Sequence, residues 1–266
     1  MLSVEPMKLF GHDIAIEFLG TGTSTGVPQI GCNCRVCRSR DEHDKRFRAS
    51  AIVRTCGKSI LIDCGPDFRS QMLNASDCHL DALIITHTHY DHVGGVDDLR
   101  PYCYHRTPHF PIFARRDVLS DLYKKMPYSF SDNPYPGAPI FDTFEIDDKP
   151  FDCCGVEVTP LPVWHGKLLI NGYRIGNLAY ITDAKYIPES TLELMRGVEV
   201  LVVNALRHEE HPSHMTVEAA LHIVGLVKPR RTYFTHMSHQ IGLHHEVNKQ
   251  LPHGIELAYD GLIVKL

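Results

Sequence analysis

Four side chains of types that commonly bind metal ions lie within six positions of one segment. Residues 86–95 read THTHYDHVGG and contain His87, His89, Asp91 and His92. His87 and His89 are two positions apart, so in an extended chain their side chains point to the same side. Neutral imidazoles and a carboxylate are ligands that zinc, manganese and iron accept. Because four such residues occur together, the segment predicts a metal site rather than a histidine-rich surface loop.

A second group of metal-binding residue types is the cysteine cluster GCNCRVC, residues 31–37. Cys32, Cys34 and Cys37 are too close in sequence for an unstrained disulfide, and the total of nine cysteines is odd. The N-terminus shows no signal peptide, which predicts a cytoplasmic, reducing location. There such a cluster binds zinc more often than it forms a disulfide. Three thiolates leave one tetrahedral position for a fourth ligand, which the spacing alone does not identify.

Length and composition predict one globular domain. The 266 residues can bury a sizeable core, and we place the domain at 1–266. A hydrophobic content of 43% and a charged content of 22% are ordinary for globular proteins. No apolar run is long enough to cross a bilayer. The formal net charge of −5 argues against an extended nucleic-acid surface, although it allows a local phosphate pocket.

Short apolar runs predict β-strands that alternate with helices. The runs are IAIEFLG, SAIVRT, SILIDCG and ALIITH in the first half, and VEVTPLPVWH, NLAYITDA, VEVLVVNAL and RTYFTH in the second. Thr216 is expected to cap a helix whose apolar residues between Val217 and Val224 share one face. Strands interleaved with helices predict an α/β sandwich. Residues 101–150 are the least regular part and are expected to form an irregular insertion near the site.

The segment 86–95 carries the HxHxDH pattern of the metallo-β-lactamase superfamily, which the chain resembles along nearly its whole length. The resemblance implies an αββα sandwich of two mixed sheets, with two divalent ions, zinc or manganese, at the ends of the sheets. By the family pattern His87, His89 and His165 bind one metal, Asp91, His92 and His236 bind the other, and Asp183 bridges the two. Asp91 is also assigned to the catalytic residues. Paired ions of this kind lower the pKa of a water molecule between them, which predicts a hydrolase.

The beginning of the chain narrows the resemblance. Residues 26–37 follow the pattern Gly-Val-Pro-x-x-Gly-Cys-x-Cys-x-x-Cys and are similar to the cyclic-phosphate phosphodiesterases of the carbon–phosphorus lyase pathway. In that family the cluster forms a separate structural zinc site, and the resemblance implies His239 as its fourth ligand. His43 and Cys56 are alternatives nearer in the sequence. The six cysteines outside the cluster are expected to be buried apolar residues rather than ligands, and they are Cys56, Cys64, Cys78, Cys103, Cys153 and Cys154.

One further histidine is a candidate for proton transfer. Phosphodiesterases of the superfamily carry a histidine, just before a helix, that contacts the phosphoryl group and can protonate the leaving oxygen. His214, in His214-Met215-Thr216, matches that position, and His208 and His211 are close enough in sequence to be alternatives. A positioned general acid contributes about 10² to 10⁴ in rate.

The resemblance therefore implies a metal-dependent phosphodiesterase that opens small cyclic phosphates, of the phosphoribosyl 1,2-cyclic phosphate type. The expected partner is a small phosphodiester, with neither extended nucleic acid nor a membrane, and a homodimer is a further expectation. One alternative is a tRNA 3′-processing endoribonuclease, which normally uses a basic exosite that does not stand out here. The other is a non-enzymatic accessory protein resembling pyrroloquinoline quinone biosynthesis protein B, which lacks the full metal motif.

Overall fold

Two seven-stranded β-sheets build the part of the chain that the computed structural model describes, residues 14–104 and 107–266. Residues 1–13 of the predicted domain, and residues 105 and 106 of the segment 101–150, lie outside the described residues. The strands are Ala15–Gly20 (β1), Ser50–Thr55 (β2), Lys58–Ile62 (β3), Ala82–Ile84 (β4), Phe110–Ala114 (β5), Phe141–Glu145 (β6), Phe151–Cys153 (β7), Val156–His165 (β8), Leu168–Ile175 (β9), Leu178–Ile181 (β10), Val200–Asn204 (β11), Arg231–Thr235 (β12), Ile255–Leu257 (β13) and Ile263–Lys265 (β14). The helices are Phe68–Asn74 (α1), Tyr90–Val93 (α2), Arg100–Cys103 (α3), Arg116–Lys125 (α4), Glu189–Leu194 (α5), Val217–Val227 (α6) and His244–Asn248 (α7).

The two sheets have the same mixed pattern of pairing. The first has the order β14-β1-β2-β3-β4-β5-β6, and the second has the order β13-β12-β11-β10-β9-β8-β7. Each sheet contains three antiparallel and three parallel pairs: β3 to β6 run parallel in the first, and β10 to β13 in the second, whereas the remaining pairs are antiparallel. Parallel strands place their carboxyl ends at one edge, which is where α/β proteins assemble sites.

The alternation of side chains along the strands explains the layered packing. In β3, Ile60 and Ile62 belong to the core between the sheets, whereas Leu61 packs with the helices outside the first sheet. In β11, Val202 faces the core between the sheets and Val203 faces the helices outside the second. Strands that are apolar on both faces must be covered on both faces. The result is the αββα sandwich, and this prediction is confirmed.

Local signals in the sequence account for several elements. Thr216 caps α6 as predicted, because its side chain accepts a hydrogen bond from Ala219 N at 3.1 Å. The predicted strands SAIVRT and SILI become β2 and β3, and these form a hairpin that turns at Cys56 and Gly57, both of which have positive φ angles. No helix within the described residues is long and apolar enough to span a membrane.

The prediction that residues 101–150 are irregular is wrong for much of their length. The segment contains α4 and also β5 and β6, which extend the first sheet by parallel pairing. The strand β5 has the sequence FPIFA, and all five of its residues are buried although the second is a proline. A contact with the site does exist, since Lys125 Nζ donates to Thr88 O at 3.2 Å.

Candidate metal centre

The predicted metal ligands converge where strands of both sheets end. His87 follows β4, His165 is the last residue of β8, and His236 directly follows β12. Asp183 comes two residues after β10. Asp91 and His92 belong to the short helix α2, which begins three residues after His87. The carboxyl edges of two facing sheets thus bring together residues that are up to 149 positions apart in the sequence.

Sharp backbone turns aim some of these side chains into the site. Asp63, Asp183 and His236 have φ angles of 62°, 57° and 55°, which is the left-handed region that non-glycine residues seldom adopt. They are three of the six such non-glycine residues in the described part of the chain. Each directly follows, or lies within two residues of, the end of a buried strand. Backbone strain of this kind, about 1–3 kcal/mol per residue, concentrates at functional sites.

The structure brings the histidine and aspartate ligands into two groups that share one carboxylate. The potential ligand atoms in each group lie within 4.8 Å of one another. One group contains His87, His89, His165 and Asp183, and the other contains Asp91, His92, Asp183 and His236. Asp183 Oδ2 lies 3.1 Å from His236 Nε2 and 3.8 Å from His87 Nε2, so a single carboxylate faces both groups. His89 is the exposed member, which leaves the first group open to solvent.

The donor atoms at the centre are placed to coordinate a metal ion rather than to form hydrogen bonds with one another. The Nε2 atoms of His87, His92 and His236 are buried and have no hydrogen-bond partner. His92 Nε2 lies 3.2 Å from Asp91 Oδ2, but without the geometry of a hydrogen bond. A buried polar group left unsatisfied costs about 1–3 kcal/mol. Cations coordinated by these nitrogens and the adjacent carboxylates would remove that cost, so the residues fit a divalent metal centre.

The pKa values of the ligands in the site depend on burial and on the charged side chains packed around each of them. Burial alone would raise the pKa of Asp183, but the neighbouring His236, His92 and His214 side chains hold this pKa well below its usual value. Burial alone would lower the pKa of His92, but the carboxylates of Asp183, Asp63 and Asp91 raise it well above its usual value. These shifts favour an ionised Asp183 and a proton on His92. A divalent ion that binds there must displace that proton.

Three histidines are oriented through their Nδ1 atoms, which leaves their Nε2 atoms at the centre. His165 Nδ1 donates to Ser213 O at 2.8 Å, and His87 Nδ1 lies 2.9 Å from Thr86 Oγ1. His92 Nδ1 lies 2.7 Å from Asp63 Oδ2. A carboxylate can only accept, so His92 carries its proton on Nδ1 and offers Nε2 as a ligand.

Asp63 is a functional residue that the sequence interpretation missed. It is fully buried, and besides His92 it accepts hydrogen bonds from Thr86 N and Thr86 Oγ1, both at 2.8 Å. The signal was present, because Asp63 follows the predicted strand SILI much as Asp183 follows NLAYI. A charged residue at the end of a buried strand is uncommon unless it has partners.

His214 lies at the rim of the centre. Its Nε2 is 3.4 Å from Asp183 Oδ2, and its ring lies 4.6 Å from the ring of His165 and 4.9 Å from that of His236. Burial lowers the pKa of His214 to about 4. The histidine predicted to transfer a proton is thus beside both metal groups, and its role as a general acid stays a prediction. His208, an alternative in the sequence, is exposed.

The cysteine cluster forms a third group, separate from the other two. Cys32, Cys34, Cys37 and His239 place their ligand atoms within 4.8 Å of one another. His239 Nδ1 lies 3.7 Å from Cys32 Sγ and 3.2 Å from Cys34 Sγ. Zinc–ligand lengths predict a separation of about 3.5 Å between sulfur and nitrogen at two corners of a tetrahedron. The geometry therefore fits a closed Cys₃His metal site.

The alternatives for the fourth ligand lie elsewhere. His43 Nδ1 is 2.8 Å from Asp41 Oδ1, and the His43 ring stacks on His244. Cys56 is in the hairpin turn. The prediction that the remaining cysteines are buried is confirmed for Cys64 and Cys153 but wrong for Cys56 and Cys78, which are exposed.

Hydrogen bonds tie the cysteine loop to the metal centre. Met237 follows His236 directly and lies two residues before His239. Its N–H donates to Thr21 O at 2.9 Å, and its carbonyl accepts from Thr23 N at 3.0 Å. The turn that precedes the cysteines thus pairs with the segment that joins the two sites.

Two β-sheets face each other, and at their edge lie two groups of histidine and aspartate ligands that share one carboxylate. This arrangement defines the class of metal-dependent hydrolases with the metallo-β-lactamase fold. Residues 58–237 match the family model described as the β-lactamase superfamily domain. A crystal structure described as a new diphosphatase from the PhnP family is 39% identical, covers 96% of this chain and 97% of that chain, and superposes with a TM-score of 0.88. The chain therefore belongs to the β-lactamase superfamily and, within it, to the PhnP family.

Other proteins match this chain over only part of their own length, or resemble it in fold alone. A protein of Porphyromonas gingivalis named octanoyltransferase is 47% identical over 247 residues, which are 92% of this chain and 50% of that protein. The chain thus spans about half the length of this relative. The zinc-bound PqqB of Methylobacterium extorquens is 18% identical with a TM-score of 0.76, and covers 95% of this chain and 100% of that chain. Human short-form tRNase Z is 18% identical with a TM-score of 0.68, covering 94% of this chain and 98% of that chain, so both likenesses concern the fold alone.

Proposed function

We propose that the protein is a metal-dependent phosphodiesterase that opens small cyclic phosphates, of the phosphoribosyl 1,2-cyclic phosphate type. The observation that carries the proposal is the position of His214, whose Nε2 lies 3.4 Å from the carboxylate shared by the two ligand groups. A phosphoryl group held between those groups would have its leaving oxygen next to a proton donor. The 39% identity to a diphosphatase of the PhnP family also supports phosphorus as the centre of attack.

Each side chain has a separate part in this chemistry. His87, His89 and His165, and on the other side Asp91, His92 and His236, would hold two divalent ions, zinc or manganese, with Asp183 between them. Ions so placed lower the pKa of a water molecule and withdraw charge from the phosphoryl oxygens. In its protonated form, His214 would give its Nε2 proton to the leaving oxygen as the phosphorus–oxygen bond breaks, and it would regain a proton from solvent before the next turnover. The Cys₃His site, filled with zinc, would fix the loop that follows His236 and take no part in the reaction.

Charge and exposure favour a small substrate. The net charge of −5 offers no general attraction to a polyanion. Two basic side chains on the loops that follow Asp183 and precede His214 are already paired, since Lys185 contacts Glu210 at 2.7 Å and Arg207 donates to Glu210 O at 2.8 Å. A tRNA-processing activity would need a basic surface, so we propose no extended nucleic-acid partner. The complete ligand set argues against a purely accessory role.

A diphosphate is the second candidate, because a relative that is 39% identical over 97% of its own length is described as a diphosphatase. Hydrolysis of a diphosphate bridge would use the same attack on phosphorus with a more acidic leaving group. We do not extend octanoyl transfer to this chain, because half of the relative with that name lies outside the match.

The experiment is a hydrolysis panel with zinc-loaded and manganese-loaded protein at two salt concentrations. The substrates are ribose 1,2-cyclic phosphate 5-phosphate, a nucleoside 2′,3′-cyclic phosphate, a linear diester, a dinucleoside diphosphate and a precursor tRNA. We expect the cyclic phosphates to be opened to monoesters, with an apparent affinity that changes little with salt.

Preferred cleavage of the diphosphate would favour the second candidate. Efficient, salt-sensitive cutting of the precursor tRNA would contradict the proposal, since each neutralised phosphate on a single strand contributes a slope of about −0.7 to the salt dependence. If the protein hydrolyses none of the phosphorus substrates, the proposal of a phosphodiesterase is wrong.

A further inference from the structure

A second histidine lies directly behind His214, on the side away from the metal centre. His211 Nδ1 is 3.0 Å from His214 Nδ1, and the ring centroids are 4.8 Å apart. Two imidazole nitrogens at this distance share one proton, so one must donate and the other accept. The direction of that hydrogen bond decides which nitrogen of His214 is free for chemistry.

Backbone geometry identifies His211 as the acceptor. The N–H of Ser213 points to His211 Nδ1 at 3.3 Å, and a backbone N–H can only donate. His211 Nδ1 therefore carries a lone pair, and the proton of the His211–His214 bond belongs to His214 Nδ1. Ser213 Oγ, at 3.1 Å from His214 Nδ1, can accept part of the same bond.

The other nitrogen of His214 faces the centre. Its Nε2 lies 3.4 Å from Asp183 Oδ2, an oxygen that only accepts when the carboxylate is ionised. With one proton held on Nδ1 by His211, Nε2 is the nitrogen at which His214 takes up a second proton, and the imidazolium so formed can give that proton to a leaving oxygen and return to the neutral Nδ1–H form. The electron pair of the broken phosphorus–oxygen bond stays on that oxygen, and the Nδ1 proton stays on His214.

We propose that His211 is a positioning residue that holds the Nδ1 proton of His214 and thereby makes Nε2 the atom that transfers a proton to the leaving group. The role corresponds to that of the aspartate in a serine-protease triad, which fixes the tautomer of its histidine. The part that concerns the leaving group rests on the proposed phosphodiesterase function. The tautomer itself does not.

The loop that carries His211 has other supports, so removal of this side chain leaves its course intact. Leu206 N donates to Met215 O and Val217 N donates to Arg207 O, each at 3.0 Å, which pins both ends of the loop. Arg207 also donates to Glu209 O and Glu210 O. His211→Ala thus removes the acceptor at His214 with little effect on the backbone.

The direct test is nitrogen-15 NMR of the histidine side chains in zinc-loaded protein, which needs no substrate. We expect His214 to carry a proton on Nδ1 in the wild type and in His211→Asn, whose Oδ1 can occupy the position of Nδ1 and accept. In His211→Ala the same proton signal should be lost or shifted, and in the control His208→Ala, at an exposed histidine, it should be unchanged. A wild-type His214 without an Nδ1 proton, or a signal unchanged in His211→Ala, would overturn the proposal.

The kinetic test compares esters with good and poor leaving groups. His211→Ala should lower turnover of an alkyl ester about 10- to 100-fold, which is part of the full effect of a general acid, and turnover of a p-nitrophenyl ester about 3-fold or less. His211→Asn should recover most of the loss. Equal losses on both esters, together with lost zinc, would show a structural role and contradict the proposal. If the wild type hydrolyses no phosphodiester, the proposed function fails, and the NMR result alone decides the role of His211.

Discussion

Replacement of Asp63 by Asn should weaken metal binding in one of the two ligand groups, that of Asp91, His92 and His236. Asp63 Oδ1 accepts from Thr86 N, and Oδ2 accepts from Thr86 Oγ1 and lies 2.7 Å from His92 Nδ1. Asn can keep the first bond, but it places an amide N–H₂ where Oδ2 was. His92 Nδ1 would then have to accept, which moves its proton to Nε2 and blocks the lone pair that a metal needs.

The size of the effect can be worked out from these contacts. The Thr86 hydroxyl can rotate to accept from the new amide, so one charged hydrogen bond is lost, at a cost of about 1.5–3 kcal/mol in the free energy of unfolding. Asn adopts the left-handed backbone of position 63 as readily as Asp does. A lost partner of a metal-binding histidine lowers metal affinity about 10- to 100-fold. The loss should fall on the group of Asp91, His92 and His236.

The assay is a zinc titration against a competing chelator, with thermal unfolding measured on the same samples. Asp132→Asn, at an exposed aspartate, serves as the matched control. We expect Asp63→Asn to lose one tightly bound ion and to keep the ion of the Cys₃His site. Unchanged stoichiometry and affinity in Asp63→Asn would refute the reasoning about His92.

Four further changes test other parts of the structure. Cys34→Ser should lose the zinc of the Cys₃His site and lower the unfolding temperature, because metal binding there is also folding energy; full zinc content at unchanged stability would contradict this. His214→Ala should keep its metals by elemental analysis yet lose about 10²- to 10⁴-fold in turnover of a poor leaving group, and a loss of metal would argue against a general acid. Metal affinity of the centre should rise with pH through neutrality, because the raised pKa of His92 means that a proton must leave, and potentiometric release of no proton on binding would disprove it. Gly95→Ala should destabilise the fold by about 3 kcal/mol in chemical denaturation, since an added Cβ would lie 2.0 Å from Gly65 O, whereas Gly225→Ala, with open space, should be neutral or stabilising.

Much of the centre could be predicted from the sequence because its ligands follow recognisable strands. His165, Asp183 and His236 each come at the end of an apolar run, and HxHxDH gathers four ligands in one segment. His239 is different, since its partners are more than 200 residues away and only the family resemblance indicated it. The structure then places it against the cysteine sulfurs.

The rest depends on packing that a single sequence does not reveal. Asp63 and His211 contact His92 and His214 rather than the centre itself, and these contacts become visible only once the neighbouring strands and the loop before α6 are in place. The strands β5 and β6 were missed because the segment contains several prolines, and their place in the sheet depends on parallel pairing of β5 with β4 and of β6 with β5. Tertiary context decided both cases.

The central proposal is that two metal ions, bound by the two ligand groups that share Asp183, catalyse the hydrolysis of phosphodiesters. The most direct measurement is hydrolysis of bis(p-nitrophenyl) phosphate by metal-free protein during stepwise addition of zinc or manganese, with bound metal counted at each step. We predict no activity without metal, activity that appears as the two groups fill, and a loss of at least about 10²-fold in Asp183→Asn while the Cys₃His zinc is retained. Hydrolysis that persists in the chelated protein, or that Asp183→Asn leaves intact at full metal loading, would contradict the account.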